Sequence, residues 1–314
     1  MEITRGLSVD GTFSPVAVNF LDQIPADALF HMSHQLRHPA SIYRLSLENV
    51  AEAFCRVAEE YLLKIEEYGA RSSDDFEIFE LLSSQLGLLR AMQEHIDDCW
   101  LILKTLVDPR SATKTSRFTD QYVVASGLAG AKAFRNAIAD FKSDLRIANK
   151  LKHQQGRLRG VAMWLPARVH IGYFLEEPDP QGFLGPSPEI HSDQGAISFA
   201  RDLTWHLFNA YLCSERLVAA VKTALGGRGI SIQHQPCAPD KNWDKAVSLA
   251  LSLPTAFFPK EVRKGIAGFH CDASGQVLTV RCPERVQVTF PSPVKITCCT
   301  RGDGHSVNFR VPFP

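Results

Sequence analysis

Residues 141–160, FKSDLRIANKLKHQQGRLRG, carry the side chains whose types and spacing suit chemistry on a phosphodiester. Six bases, Lys142, Arg146, Lys150, Lys152, Arg157 and Arg159, stand there against one acid, Asp144. At about 100° per helical residue, Arg146 and His153 are eclipsed to within about 20°. Asn149 and Lys150 flank them and Lys142 joins the same face. A neutral imidazole at His153 could take the proton of a ribose 2′-hydroxyl near neutral pH. The planar fork of Arg146 suits the oxygens of a phosphorane, and Asn149 could orient the ring. Lys142, Lys150, Lys152, Arg157 and Arg159 could hold backbone phosphates. That set is complete for internal transesterification of RNA with no metal and no cofactor. The same bases are also what the last turn of a helix favours, because they oppose its dipole.

These groups need helices to hold them. SIYRLSLENVAEAFCRVAEEYLLKIEEYG repeats apolar residues at three and four, and predicts a helix ending at Gly69. The acidic cap SSDD predicts a second, from residues 72–75 to about Val107, stopped by Asp108-Pro109. A third is predicted from Thr119 to about His153, with Phe134, Ile138, Phe141 and Leu145 inward. RLRGVAMWLP and RVHIGYFLEE, split at Pro166, predict a β-hairpin. Ser192-Asp193 caps a fourth long helix that stops at Gly226-Gly227. Beyond it, NWDKAVSLALSLP reads as a short helix, and GQVLTVRC, RVQVTF, VKITCCT and SVNFRV read as strands. The fold class expected is mainly α: a four-helix bundle with an inserted β-hairpin, then a small β-rich part. The divisions expected are an irregular segment, 1–40, packed on the core; a helical domain, 41–226; and a β-rich region, 227–314.

Composition bounds the partners. In 314 residues, Lys+Arg and Asp+Glu both number 34, so attraction to RNA must be local rather than global. The first twenty residues lack an export signal's basic start and apolar core, and no apolar run is long enough for a membrane span. Eight Cys without a CxxC read as reduced thiols, and the expected location is the cytoplasm. His31, His34 and His38 share a face, and His95 and Cys99 stand one turn apart, but neither set has a full complement of metal ligands nearby. His191-Ser192-Asp193 reads as a helix cap, since sequence neighbours cannot form a triad.

The segment resembles the HEPN family of helical-bundle proteins, whose signature is an Arg, four to six residues and a His near a helix end, often with Asn between. Here it is R-I-A-N-K-L-K-H, Arg146 to His153. The resemblance covers residues 40–226, and residues 227–314 resemble no family. It implies a metal-independent endoribonuclease with Arg146 and His153 catalytic and Asn149 supporting. It also implies a homodimer with a composite cleft, in a defence or toxin-type setting. The alternatives are a non-catalytic RNA- or protein-binding bundle and a scaffold whose C-terminal part recognises a protein partner. The strict family pattern sets Arg directly before the Asn, five residues ahead of the His, and that position is Ala148. Arg90–His95 and Arg201–His206 match by spacing alone; Asp202 after Arg201 keeps the latter as a minor candidate.

Overall fold

The computed structural model describes residues 1–7, 12–69, 76–110, 116–153, 156–165, 168–178, 182, 184–191, 195–226, 241–261, 266–286 and 295–298. The protein is mainly helical, with antiparallel sheet. Helices α2 (Pro39–Gly69) and α3 (Phe79–Lys104) pack along each other as the central pair. Leu47, Val50, Phe54, Ala58 and Tyr61 of α2 meet a buried α3 face that includes Leu88, Met92, Ile96 and Trp100. The long helix α9 (Phe199–Gly226) packs on this pair and buries Leu203, Leu207, Tyr211, Leu217 and Val221. The three- and four-residue apolar repeat therefore does what it predicts for these helices. No helix among the described residues is long and apolar enough to cross a membrane.

The third predicted helix is not continuous. Residues 119–153 form α4 (Thr119–Ala125), α5 (Ala131–Ala137), α6 (Ala139–Asp144) and α7 (Arg146–His153). Gly127 and Gly130 take φ of 76° and 85°, a left-handed backbone that ends a helix. At Gly130 a Cβ would lie 2.8 Å from the Ala220 backbone, so this break lets the chain approach α9. Arg146 therefore opens an eight-residue helix instead of sitting inside a long one.

The predicted hairpin is present: β2 (Arg157–Leu165) pairs antiparallel with β3 (Arg168–Pro178). Strand alternation sends Ala162, Ile171, Tyr173 and Leu175 into the main core. Val161, Met163 and Phe174 turn to a smaller cluster with Ala196 and Phe258. The short strands β4 (Leu184–Pro186) and β5 (Ile197–Ser198) add to β3, with the one-turn helix α8 (Pro188–His191) between them. At Gly172 a Cβ would stand 2.2 Å from the Ile197 carbonyl oxygen and 2.4 Å from the Phe258 ring. Gly172→Ala is expected to cost about 2 kcal/mol through this overpacking, read as a lower urea midpoint; an unchanged midpoint refutes the close approach.

The N-terminal segment is more ordered than its Gly and Pro suggest. Residues 2–6 form β1 (Glu2–Gly6), and α1 (Val16–Leu21) buries Ala17, Val18, Phe20 and Leu21. Beyond α10 (Lys241–Ser252), strands β6 (Ile266–Cys271) and β7 (Val277–Glu284) complete a sheet ordered β1-β7-β6. Strand β6 was not anticipated by the sequence patterns, and β7 and α10 were. The last described strand, β8 (Lys295–Cys298), joins β2. Strands from both sides of residue 227 thus share each sheet. The predicted strand SVNFRV and most of RVQVTF lie outside the described residues.

Candidate active site

The bases of residues 142–159 meet acids that are remote in sequence. Lys142 Nζ lies 3.0 Å from Asp120, and Arg146 Nη1 lies 2.8 Å from Glu189. Lys150 Nζ lies 3.0 Å from Glu177 and 2.8 Å from Glu189. Burial alone would lower the Lys150 ammonium, but its bonds to Glu189 and Glu177 raise it above its ordinary value. Arg159 is 8% exposed, its Nη2 2.7 Å from Glu176. It forms an interior ion pair, whereas the sequence places it among surface bases for RNA phosphates. Lys152 and Arg157 are exposed. The excess of positive charge in this segment is therefore largely balanced, because α4, β3 and α8 bring carboxylates to it.

The three residues expected to be catalytic are placed unevenly. Arg146 is half exposed, and its Nε also donates to the Ser143 carbonyl at 3.0 Å. Asn149 is exposed, and its amide oxygen accepts from Gln93 Nε2 at 2.8 Å. His153 ends α7, and its side chain lies outside the described residues.

Arg146 instead lines a cleft of about 200 Å³ with Asp144, Tyr173, Arg201, Asp202 and His206. Helix α9 sets Asp202 and His206 four residues apart on one face, and Arg201 and Trp205 four apart beside them. Asp202 is at the centre. Its Oδ2 accepts from Gln85 Nε2 at 2.5 Å, from the Tyr173 hydroxyl at 2.8 Å and from His206 Nε2 at 3.1 Å. Burial would push its carboxyl up, but His206, the Tyr173 hydroxyl and Arg201 together hold it below its ordinary value. In a neutral ring, a carboxylate at Nε2 places the proton there and leaves Nδ1 as a lone pair. His206 Nδ1 and Arg201 Nε are buried with no hydrogen-bond partner among the described residues. Asp144 accepts from Trp205 Nε1 at 2.9 Å. Burial raises the Asp144 carboxyl above its ordinary value, against the opposing effects of Trp205, His206 and Arg201.

This arrangement can do acid–base chemistry on an anion: a ring held in one tautomer, two guanidinium groups and a carboxyl that keeps its proton more readily. RDLTWH at 201–206 was visible by spacing. Gln85, Tyr173 and Asp144 carried no signal, since each comes from a different element.

The other clusters have structural partners. His34 Nε2 binds the Val107 carbonyl at 2.8 Å and His38 Nε2 binds that of Ile24 at 3.2 Å. His95 is fully buried with Nδ1 2.9 Å from the Ser46 hydroxyl while Arg90 is exposed, so the two residues of the Arg90–His95 match face opposite ways. His191 Nε2 accepts from the Leu175 amide at 2.9 Å, while Ser192 and Asp193 lie outside the described residues. Among the described residues no three His, Cys, Asp or Glu are grouped to hold a metal ion. No family model, curated protein or solved structure matches the chain.

Proposed function

We propose that this chain is a metal-independent endoribonuclease of HEPN-like type, with its acid–base group at His206. The observation that carries the reading is the cleft lined by Arg146, Arg201, Asp202 and His206, whose buried ring Nδ1 has no hydrogen-bond partner among the described residues. In this reading His206 Nδ1 takes the proton of a ribose 2′-hydroxyl, and the 2′-oxygen bonds to phosphorus. Asp202 holds the ring and balances the imidazolium that forms. Arg146 and Arg201 face the phosphorane oxygens, the phosphate displacing Glu189 from Arg146. Asp144 gives its proton to the leaving 5′-oxygen. The products are a 2′,3′-cyclic phosphate and a 5′-hydroxyl. A homodimer and a defence or toxin-type role belong to the same proposal and rest on the family resemblance.

A second reading, a non-catalytic bundle that binds RNA or protein, is favoured by the acids that neutralise Lys142, Arg146 and Lys150. Mixed RNA in EDTA separates the two. Wild type is expected to leave 2′,3′-cyclic ends, and His206→Ala, shown folded by circular dichroism, to lose about a hundredfold in rate. His153→Ala is expected to cleave like wild type. Loss in His153→Ala with retention in His206→Ala returns the site to α7, and intact RNA with wild type selects the non-catalytic reading.

A further inference from the structure

Arg146 and Ser143 also wall a second groove, about 400 Å³ in volume. That is within the roughly 300–1,000 Å³ of small-molecule sites. Its floor is apolar: Ile96 and Leu145, each 2% exposed, with the methyl of Ala139 beside them. Arg135, Lys142 and Arg146 stand around it against Asp97. Lys142 and Arg146 have their acids on other elements, whereas Arg135 makes no ion pair among the described residues. Two further lining residues, half-buried Gln93 and exposed Asn149, are joined through their amides. Because Gln93 donates and Asn149 accepts, the Asn149 NH₂ remains a donor and the Gln93 carbonyl an acceptor. An apolar floor with a paired donor and acceptor matches the face and edge of a nucleobase. The basic residues match the phosphate attached to it.

We infer that this groove holds the nucleobase next to the scissile phosphate, read at its edge by Asn149 and Gln93, so that the substrate is single-stranded RNA. A base whose face lies on this floor must be out of its stack, as in a single strand and not in a duplex. The step from base-binding groove to substrate rests on the nuclease reading, while the groove itself rests on its own geometry. Asn149 thereby becomes a specificity residue instead of a partner for His153.

Titration calorimetry with the four nucleoside 5′-monophosphates and with ribose 5-phosphate tests it. At least one nucleotide is expected to bind about tenfold more tightly than ribose 5-phosphate. Asn149→Ala is expected to erase the preference among bases and leave ribose 5-phosphate unchanged. Ala139→Trp, an exposed change that fills the groove, weakens every nucleotide. His206→Ala keeps the preference. Should RNA stay intact while an Asn149-dependent preference is seen, the groove stands and the nuclease reading falls. Equal binding of all five probes, no binding of any, or a preference that survives Asn149→Ala overturns the inference.

Discussion

Asp202→Ala is expected to remove about 4 kcal/mol of folding stability, the cost of breaking a buried charged group away from its partners. One carboxylate oxygen serves Gln85 from α3, Tyr173 from β3 and His206 from α9. It therefore ties the helix pair, the hairpin and the last long helix at one point. Alanine strands the Tyr173 hydroxyl and His206 Nε2 and leaves Gln85 Nε2 only its 3.2 Å bond to the Tyr173 oxygen, and each unsatisfied group carries its own desolvation penalty. Asp202→Asn keeps an acceptor oxygen and is expected to lose about half as much. Urea unfolding at neutral pH measures both, with the slope unchanged and the midpoint lowered. A loss below about 1 kcal/mol in the alanine variant would show that the three elements do not depend on this carboxylate. The test is independent of any activity, because it reads the fold alone.

Stability is expected to fall steeply as the medium is acidified from pH 6.5 to pH 4. Burial holds the His95 ring down to about 4. Burial also leads at His170, aided by Arg168 and opposed by the bond to the Phe257 carbonyl, and that ring too sits at about 4. Both rings are fully buried. In the unfolded chain each takes a proton near pH 6.5. Between those values the unfolded state binds more protons, so stability drops as pH drops. Above 6.5 both states hold neutral rings and the curve is flat; below 4 both are charged and the loss is complete. A ring held from 6.5 down to about 4 contributes roughly 3 kcal/mol to this change. Urea midpoints at pH 7.5, 5.5 and 4.5 check it. His95→Leu is expected to flatten about half of the difference between wild-type stability at pH 7.5 and at pH 4.5. Equal pH dependence in wild type and His95→Leu would mean that the ring is not buried neutral. Asp144 and Glu261, both raised by burial, act in the opposite sense at low pH, so the comparison of the two curves is the sound measure.

Local pattern identified the elements that bury one face. The apolar repeats of α2, α3 and α9 and the β-branched, aromatic runs of β2, β3 and β7 are decided by which residues must leave water. Those elements are present, though α3 begins at Phe79 and α9 at Phe199, several residues beyond the expected caps at 72–75 and Ser192-Asp193, which lie outside the described residues. The break of the third helix was harder to read. Gly127 and Gly130 tolerate either continuation, and the close approach of α9 at Ala220 selects the left-handed one. Strand β1 was hidden for a related reason: EITRG has little apolar pattern of its own, and its order comes from pairing with β7, across almost the whole chain.

The site divides the same way. The sequence by itself determined the residue types and their local spacing: bases on α7, and Arg201, Asp202 and His206 in one stretch of α9. It also determined zero net charge, so that any anion site had to be local. Only the tertiary structure decided which charges meet. It brings Asp120, Glu176, Glu177 and Glu189 to the bases of α6, α7 and β2. It joins Gln85 and Tyr173 to Asp202, and sets Arg146 between the His206 cleft and the Asn149 groove. The physical reason is range. Helix and strand periodicity act over a few residues, whereas an ion pair or a buried hydrogen bond acts over a few ångströms, between groups that only folding makes neighbours.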